Sequence, residues 1–278
     1  MITLNIRQNL IPIDHPWVMG ILNLTPDSFF DKSRIDSTKK LLRTAENMLA
    51  DGAKILDIGA QSTRPGAQEI SAEDEISRIL PALKILRKEF PGAILSIDTF
   101  RAEVAQISAS EGADIINDIS SGDIDPEMID VMAKIKLPYI IMHMQGTPQN
   151  MQKKPIYQDV TKEVIIYLSD KINQLRLKGI HDIIIDPGFG FGKTTKHNYQ
   201  LMNNLHHFQF FNRPVLVGIS RKSMVNNVLE TKPENALNGT TVLNTLALLK
   251  GASILRVHDV KEAVETVRII EYLNESNK

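Results

Sequence analysis

Eight short apolar runs in this 278-residue chain each stop at residues that a hydrophobic core would reject. The stopping residues are Asn23, Asp57, Asp98, Asn117 with Asp118, His143, Asp186, Ser220 through Lys222, and Arg256 with His258. An Asp can accept two parallel N–H bonds from the edge of a flat heterocycle, and an Asn can both donate and accept on another edge. Asp186, Asp98 and Asn117 are the candidates for that work. Arg256 and His258 stand two apart, so an extended chain turns both to one face, where guanidinium and imidazole suit a diphosphate. Lys222 sits in Ser220-Arg-Lys-Ser223. It reads either as a donor to an anion or, with a lowered pKa, as a Schiff-base nucleophile. Any one of these residues could simply cap a helix or tie down a loop. Their recurrence at the end of every run is what marks a site.

The elements that must position them alternate along the whole chain. Strand candidates are Trp17–Asn23, Lys54–Gly59, Ala93–Thr99, Asp114–Ile119, Pro138–Met144, Asp182–Asp186, Pro214–Ser220 and Ser253–Val257. Near-continuous hydrophobicity in such short runs suits strands buried on both faces of a parallel sheet. Helical patterns lie between them, at Ser37–Asp51, Ala72–Phe90, Arg101–Glu111, Pro126–Ile135, Val160–Lys178, Asn198–Phe208, Asn235–Lys250 and Lys261–Glu275. An open dinucleotide-binding sheet should carry G-x-G-x-x-G after its first strand, where this chain has Asn23-Leu-Thr-Pro-Asp27. Eight units in this length therefore predict a closed (β/α)₈ TIM barrel, an α/β fold with its site at the C-terminal mouth of the strands. Residues 17–278 are expected to form that single domain. Residues 1–16 read as an extended N-terminal segment covering the barrel's lower end.

Composition narrows the chemistry. Lys and Arg number 32 against 33 Asp and Glu, so bulk charge points to neither nucleic acid nor an anionic membrane as a partner. The chain has no Cys, which excludes disulfides, thiolate metal sites and a cysteine nucleophile. Met1–Leu10 has no secretory apolar core, and no run approaches the roughly 18–20 residues that span a bilayer. A cytoplasmic location is the expectation. Gly188-Phe-Gly-Phe-Gly-Lys-Thr194 is not a P-loop, which would need glycine where Pro187 stands. It reads as a Gly-rich turn that brings backbone to a ligand, with Phe191 as a wall. Gln61-Ser-Thr-Arg-Pro-Gly-Ala67 reads as a mobile loop, since Pro65 and Gly66 end regular structure.

Seven segments, in order, resemble the signature segments of dihydropteroate synthases. They are Met19-Gly-Ile-Leu-Asn23-Leu-Thr-Pro-Asp-Ser-Phe29, Asp57-Ile-Gly-Ala-Gln-Ser-Thr-Arg-Pro-Gly66, Ser96-Ile-Asp-Thr99, Ile116-Asn-Asp118, Asp186-Pro-Gly-Phe-Gly-Phe-Gly-Lys193, Gly218-Ile-Ser-Arg-Lys-Ser223 and Arg256-Val-His-Asp259. The resemblance implies coupling of a dihydropterin diphosphate to 4-aminobenzoate. It assigns Asp98, Asn117, Asp186, Lys222 and Phe191 to the pterin. It assigns Arg256, His258, Thr63 and Asn23 to the diphosphate, with Asn23 also a ligand to Mg²⁺. Ser62, Thr63, Arg64, Pro65, Phe29, Lys222 and Ser223 would form the 4-aminobenzoate pocket and its lid loops. A homodimer formed through late helices is also implied. Two departures stand out: Ser28-Phe-Phe-Asp-Lys-Ser33 lacks the family's glycines, and Gly59-Ala-Gln61 replaces its Gly-Gly-Glu. The rival readings are a corrinoid-linked methyltetrahydrofolate methyltransferase, a pterin-binding paralogue without activity, and a Lys222 aldolase. The first would have no use for Arg256, His258 and Lys222 at a diphosphate and benzoate site. Retention of both lid segments and the anion pair weighs against the second, and borohydride trapping would expose the third.

Overall fold

The computed structural model describes residues 2–24, 34–61, 70–151 and 155–276. In chain order the elements are β1 (Ile2–Ile6), β2 (Asn9–Ile13), β3 (Trp17–Asn23), α1 (Arg34–Ala50), β4 (Ile55–Gly59), α2 (Ala72–Glu89), β5 (Ile94–Asp98), α3 (Ala102–Ser110), β6 (Ile115–Asp118) and α4 (Met128–Ile135). There follow β7 (Tyr139–Met142), α5 (Val160–Leu177), β8 (Ile183–Asp186), α6 (Thr195–Asn203), β9 (Leu216–Val217), α7 (Ser223–Leu229), α8 (Leu237–Leu249), β10 (Ile254–Val257) and α9 (Val260–Glu275).

Eight parallel strands lie in the order β8-β7-β6-β5-β4-β3-β10-β9. A parallel bridge from Ile185 to Val215, with the Ile185 N–H donating to the Pro214 carbonyl at 3.0 Å, joins β8 to the chain entering β9. The sheet thus closes on itself as the expected barrel.

Period two along each strand sorts the lumen into layers. The lowest is apolar and takes a residue from every strand: Trp17, Ile55, Ile94, Ile115, Ile140, Ile184, Leu216 and Ile254. Two residues further along, the same faces carry Asp57, Ser96, Asn117, Asp186 and Arg256, with Met142 and Gly218 among them, while Met19 of β3 packs into the apolar floor. The outward faces pack against the helices in a separate, larger apolar cluster. A floor of hydrocarbon beneath a ring of polar groups is therefore written into the strands.

The N-terminal segment is an antiparallel hairpin of β1 and β2, with Arg7 and Gln8 at its turn in left-handed conformation (φ 52° and 64°). A two-residue turn of that hand matches the twist of the strands it joins. Leu4 and Ile6 plug the lower end against the apolar layer. Arg7 Nε and Arg87 Nη2 each reach an Asp114 carboxylate oxygen at 2.6 Å, fastening the hairpin to the barrel.

Most element ends shift by one to three residues from the sequence expectation, and three elements differ more. The strand expected at Pro214–Ser220 is only Leu216–Val217, because residues 218–222 turn into the mouth, with Arg221 at φ 58° and the Lys222 N–H donating to the Ile219 carbonyl. The helix expected at Asn198–Phe208 starts at Thr195 behind the cap Thr194 and stops at Asn204, giving way to a 3-10 turn at Leu205–Phe211. The Asn204 side chain donates to Thr161 Oγ1 and to the Gln200 carbonyl, competing with helix continuation. Helix α7 was not expected; its seven residues are too few to show a period. Among the described residues no helix is long and apolar enough to cross a membrane.

Candidate functional site

The polar ring is built around Asp57, which is fully buried on β4. Ser96 Oγ on β5 donates to its Oδ1 at 2.7 Å. Its Oδ2 accepts from Asn117 Nδ2 on β6 at 3.0 Å and from Arg256 Nε on β10 at 2.6 Å. The same guanidinium crosses the lumen to Asp98, where Nη2 donates at 2.6 Å. Four strands that are far apart in sequence are thus wired together by one largely buried cation and two carboxylates. Burial opposes the charge on Arg256, but Asp57 and Asp98 outweigh it and hold the guanidinium pKa above its ordinary value. Burial pushes the Asp98 carboxyl up to about 7, against the pull of Arg256 and with a further push from Asp57.

Across the mouth, Asp186 ends β8. Burial raises its carboxyl pKa and the Lys222 ammonium draws it back. One of its oxygens accepts from the Gly188 N–H at 2.7 Å. Lys222 precedes α7, donates to the Phe189 carbonyl at 2.6 Å, and sits 4.6 Å over the Phe191 ring. Burial lowers its pKa to about 8 despite the attraction of Asp186. Phe191, Met142, Ile119, Phe100 and Met151 form an apolar cluster on this side. Between that wall and the Asp57–Arg256–Asp98 bridge lies a site suited to a flat ring with a hydrogen-bonding edge.

Most of the sequence-predicted residues converge here. Asp98, Asn117, Asp186, Lys222 and Phe191 all reach the mouth. Arg256 and His258, expected together at a diphosphate, take different partners in the mouth. The two share a face, but Arg256 is engaged with Asp57 and Asp98 in the polar ring, while His258 Nδ1 lies 3.0 Å from Ser220 Oγ further along. Asn23 is half-buried at the end of β3, and Ser223 is exposed at the start of α7. Phe29, Ser62, Thr63, Arg64 and Pro65 lie outside the described residues.

Two strand-end residues point the other way. Asp118 accepts from Tyr139 Oη at 2.6 Å and from the N–H groups of Ser120 and Gly122, so it caps its own loop. His143 is packed against Tyr167 and Lys193, and burial together with the Lys193 charge lowers its pKa to about 3. Two glycines of the 188–192 turn are required by packing. A Cβ on Gly188 would fall 1.9 Å from the His143 carbonyl oxygen, and one on Gly192 would fall 2.4 Å from that of Gln145. They allow the turn to lie on the loop after β7, while a Cβ on Gly190 would fall 3.0 Å from Lys222 Cδ. Asp57 and Ser96 had no assigned role in the sequence reading, although their parity with Ile55 and Ile94 already placed them inside the barrel.

Comparison with known proteins accords with this geometry. Residues 19–258 match the family model described as pterin binding enzyme. The chain is 44% identical over 263 residues to the dihydropteroate synthase of Escherichia coli (strain K12), covering 94% of this chain and 93% of that protein. It is 41% identical over 260 residues to the dihydropteroate synthase of Streptococcus pyogenes, covering 92% and 95%. A solved dihydropteroate synthase from Yersinia pestis with a sulfonamide drug complex superposes with a TM-score of 0.92 at 42% identity, over 99% of this chain and 100% of that one. The dihydropteroate synthase of Xanthomonas albilineans with 4-aminobenzoic acid gives 0.91 at 35% identity, over 98% of each.

Proposed function

The chain belongs to the pterin-binding enzyme family, and from that premise we infer that it is a dihydropteroate synthase. It joins 6-hydroxymethyl-7,8-dihydropterin diphosphate to 4-aminobenzoate, giving 7,8-dihydropteroate and diphosphate. The observation that carries this reading is the arrangement of Asp186 and Asn117 around a slot walled by Phe191, with Arg256 bridging Asp57 and Asp98 beside it. A carboxylate, an amide and an apolar wall in that order match the donor edge, acceptor edge and face of a reduced pterin.

The reaction breaks the bond from the pterin's 6-methylene carbon to the diphosphate oxygen and forms a bond from that carbon to the arylamine nitrogen, whose proton leaves to solvent. Asp98, Asn117 and Asp186 hold the ring, and the buried carboxylates stabilise positive charge developing toward the methylene. His258 and the remaining face of Arg256 stabilise the departing diphosphate. Lys222, already over Phe191, donates to the pterin and lies toward the benzoate carboxylate. No side chain acts as a nucleophile. Ser62, Thr63, Arg64, Pro65, Phe29 and Ser223 belong, in this reading, to the 4-aminobenzoate pocket, with Thr63 also touching diphosphate. A sulfonamide should compete there as a mimic of 4-aminobenzoate.

Mg²⁺ is part of the same proposal. Asn23 offers one amide oxygen, and no group of three His, Asp or Glu residues suited to a metal exists among the described residues. That donor set fits an ion held mostly by diphosphate oxygens and water, as is usual for Mg²⁺. When bound, it would neutralise charge on the leaving group. A homodimer also belongs to the reading, supported by Val228, Leu229, Val242, Leu246 and Leu249, which leave large apolar side chains on the surface of α7 and α8. Light scattering of Leu246→Glu against the unaltered chain tests it, with a monomer expected only for the variant. Residues 17–278 would act as one domain in the cytoplasm.

The decisive experiment incubates the protein with radiolabelled 4-aminobenzoate, the dihydropterin diphosphate and Mg²⁺. Labelled dihydropteroate and free diphosphate should appear together. Absence of both in folded protein would refute the function.

A further inference from the structure

We propose that Lys193 is a positioning residue for pterin recognition, gathering the 187–192 turn so that Asp186 and Lys222 are held in register with one another. The inference rests on the reading of the site as a pterin site.

Lys193 is only 3% exposed, and no carboxylate among the described residues forms an ion pair with it. Burial lowers its pKa to about 7 against the pull of the more distant Asp186 charge, so an amine here is costly and fold stability alone would favour an apolar residue of the same length. What surrounds it is a set of acceptors. Its Nζ lies 2.9 Å from the Gly188 carbonyl, 3.2 Å from that of Phe191, 3.3 Å from that of His143 and 3.0 Å from His143 Nδ1. In its charged form the amine only donates, and His143 Nδ1 is then the acceptor. That agrees with the lowered His143 pKa of about 3. One amine therefore ties both ends of the turn, and the end of β7, to a single point.

The middle of that turn touches both pterin-binding ions. The Gly188 N–H donates to Asp186 at 2.7 Å, the Phe189 carbonyl accepts from Lys222 at 2.6 Å, and the Phe191 ring lies 4.6 Å beneath the same ammonium. On its outer side the turn is secured at two further places. Tyr157 Oη donates to the Gly192 carbonyl at 2.8 Å, and Asn198 Oδ1 accepts from the Gly190 N–H at 2.7 Å. Removing the Lys193 amine frees the Gly188 and Phe191 carbonyls, and both Asp186 and Lys222 lose the fixed partner that orients them. A pin serving stability alone would lower the melting temperature without altering how the folded fraction binds substrate.

The test is isothermal titration of 6-hydroxymethyl-7,8-dihydropterin diphosphate, in anoxic buffer, into the unaltered protein, Lys193→Met, Lys222→Met and the double variant. Lys193→Met is expected to raise Kd at least tenfold in the unaltered background and threefold or less in the Lys222→Met background, because its effect runs partly through Lys222. A Kd for folded Lys193→Met within twofold of the unaltered protein would overturn the proposal, as would the same factor in both backgrounds. If Lys193→Met does not fold, Tyr157→Phe frees the Gly192 end of the same turn. It should raise Kd about threefold, and no change there would equally overturn it. Failure of the unaltered protein to bind would instead refute the pterin reading, and this inference with it.

Discussion

Removing Arg256 from between Asp57 and Asp98 should make stability depend on pH in a way that the unaltered protein does not show. The substitution Arg256→Met keeps the aliphatic stem and deletes two donors, each 2.6 Å from a carboxylate oxygen. Breaking a buried pair by removing one partner costs about 3–5 kcal/mol, since an uncompensated charge remains. The Asp98 carboxyl titrates near 7 in the folded protein and near 3.9 when unfolded. The native state thus holds this proton more tightly, and stability falls as pH rises from about 4 to about 7. Arg256 is the group that draws the Asp98 pKa down; without it the folded pKa climbs further, and the falling window extends past pH 8. Between pH 6 and 8 a carboxyl titrating near 7 loses about 1.4 kcal/mol of stabilisation, and one titrating above about 9 loses about 2.7 kcal/mol. The variant should therefore be about 1.4 kcal/mol more destabilised at pH 8 than at pH 6. For a chain of this length that is about 2–3 °C in melting temperature. Differential scanning calorimetry at both pH values measures it, with Asp98→Asn in each background as the control expected to abolish the difference. An equal loss at pH 6 and 8 would refute the electrostatic account of the bridge.

The depressed Lys222 pKa of about 8 has a kinetic signature. The plot of kcat/KM for the dihydropterin diphosphate against pH should fall above about 8 as the ammonium is lost, and Lys222→Arg should move that limb beyond the measured range. Asp186→Asn replaces two acceptors by one acceptor and one donor, and should weaken pterin binding by about 2–4 kcal/mol, roughly 30- to 1,000-fold, in a calorimetric titration. Retention of affinity within threefold would remove Asp186 from the site. At the other end of the barrel, Asp114→Ala releases Arg7 and Arg87. Because Arg7 is well exposed, the Arg87 contact dominates, and a loss of about 2–4 kcal/mol in unfolding is expected. KM for both substrates should stay unchanged, and a shift in either would show that the hairpin communicates with the mouth.

By itself the sequence determined the barrel and much of its mouth. Eight apolar runs separated by amphipathic helices leave few ways to bury every strand on both faces, and polar residues that close such runs gather where the strand ends gather. Parity even separates the residues: Asp57, Asn117, Asp186 and Arg256 lie two positions from an apolar residue of the lowest layer, whereas Asp118 and His143 lie on the opposite face. Only the tertiary structure decided which polar groups answer one another. That Arg256 bridges Asp57 and Asp98 depends on distances across the lumen between strands remote in sequence. That the glycines at 188 and 192 serve packing against residues 143–145, and that Lys193 is buried among carbonyls, depends on where one loop comes to rest on another. Periodicity reports the face a side chain leaves from; hydrogen bonding and charge pairing are settled by what stands opposite it.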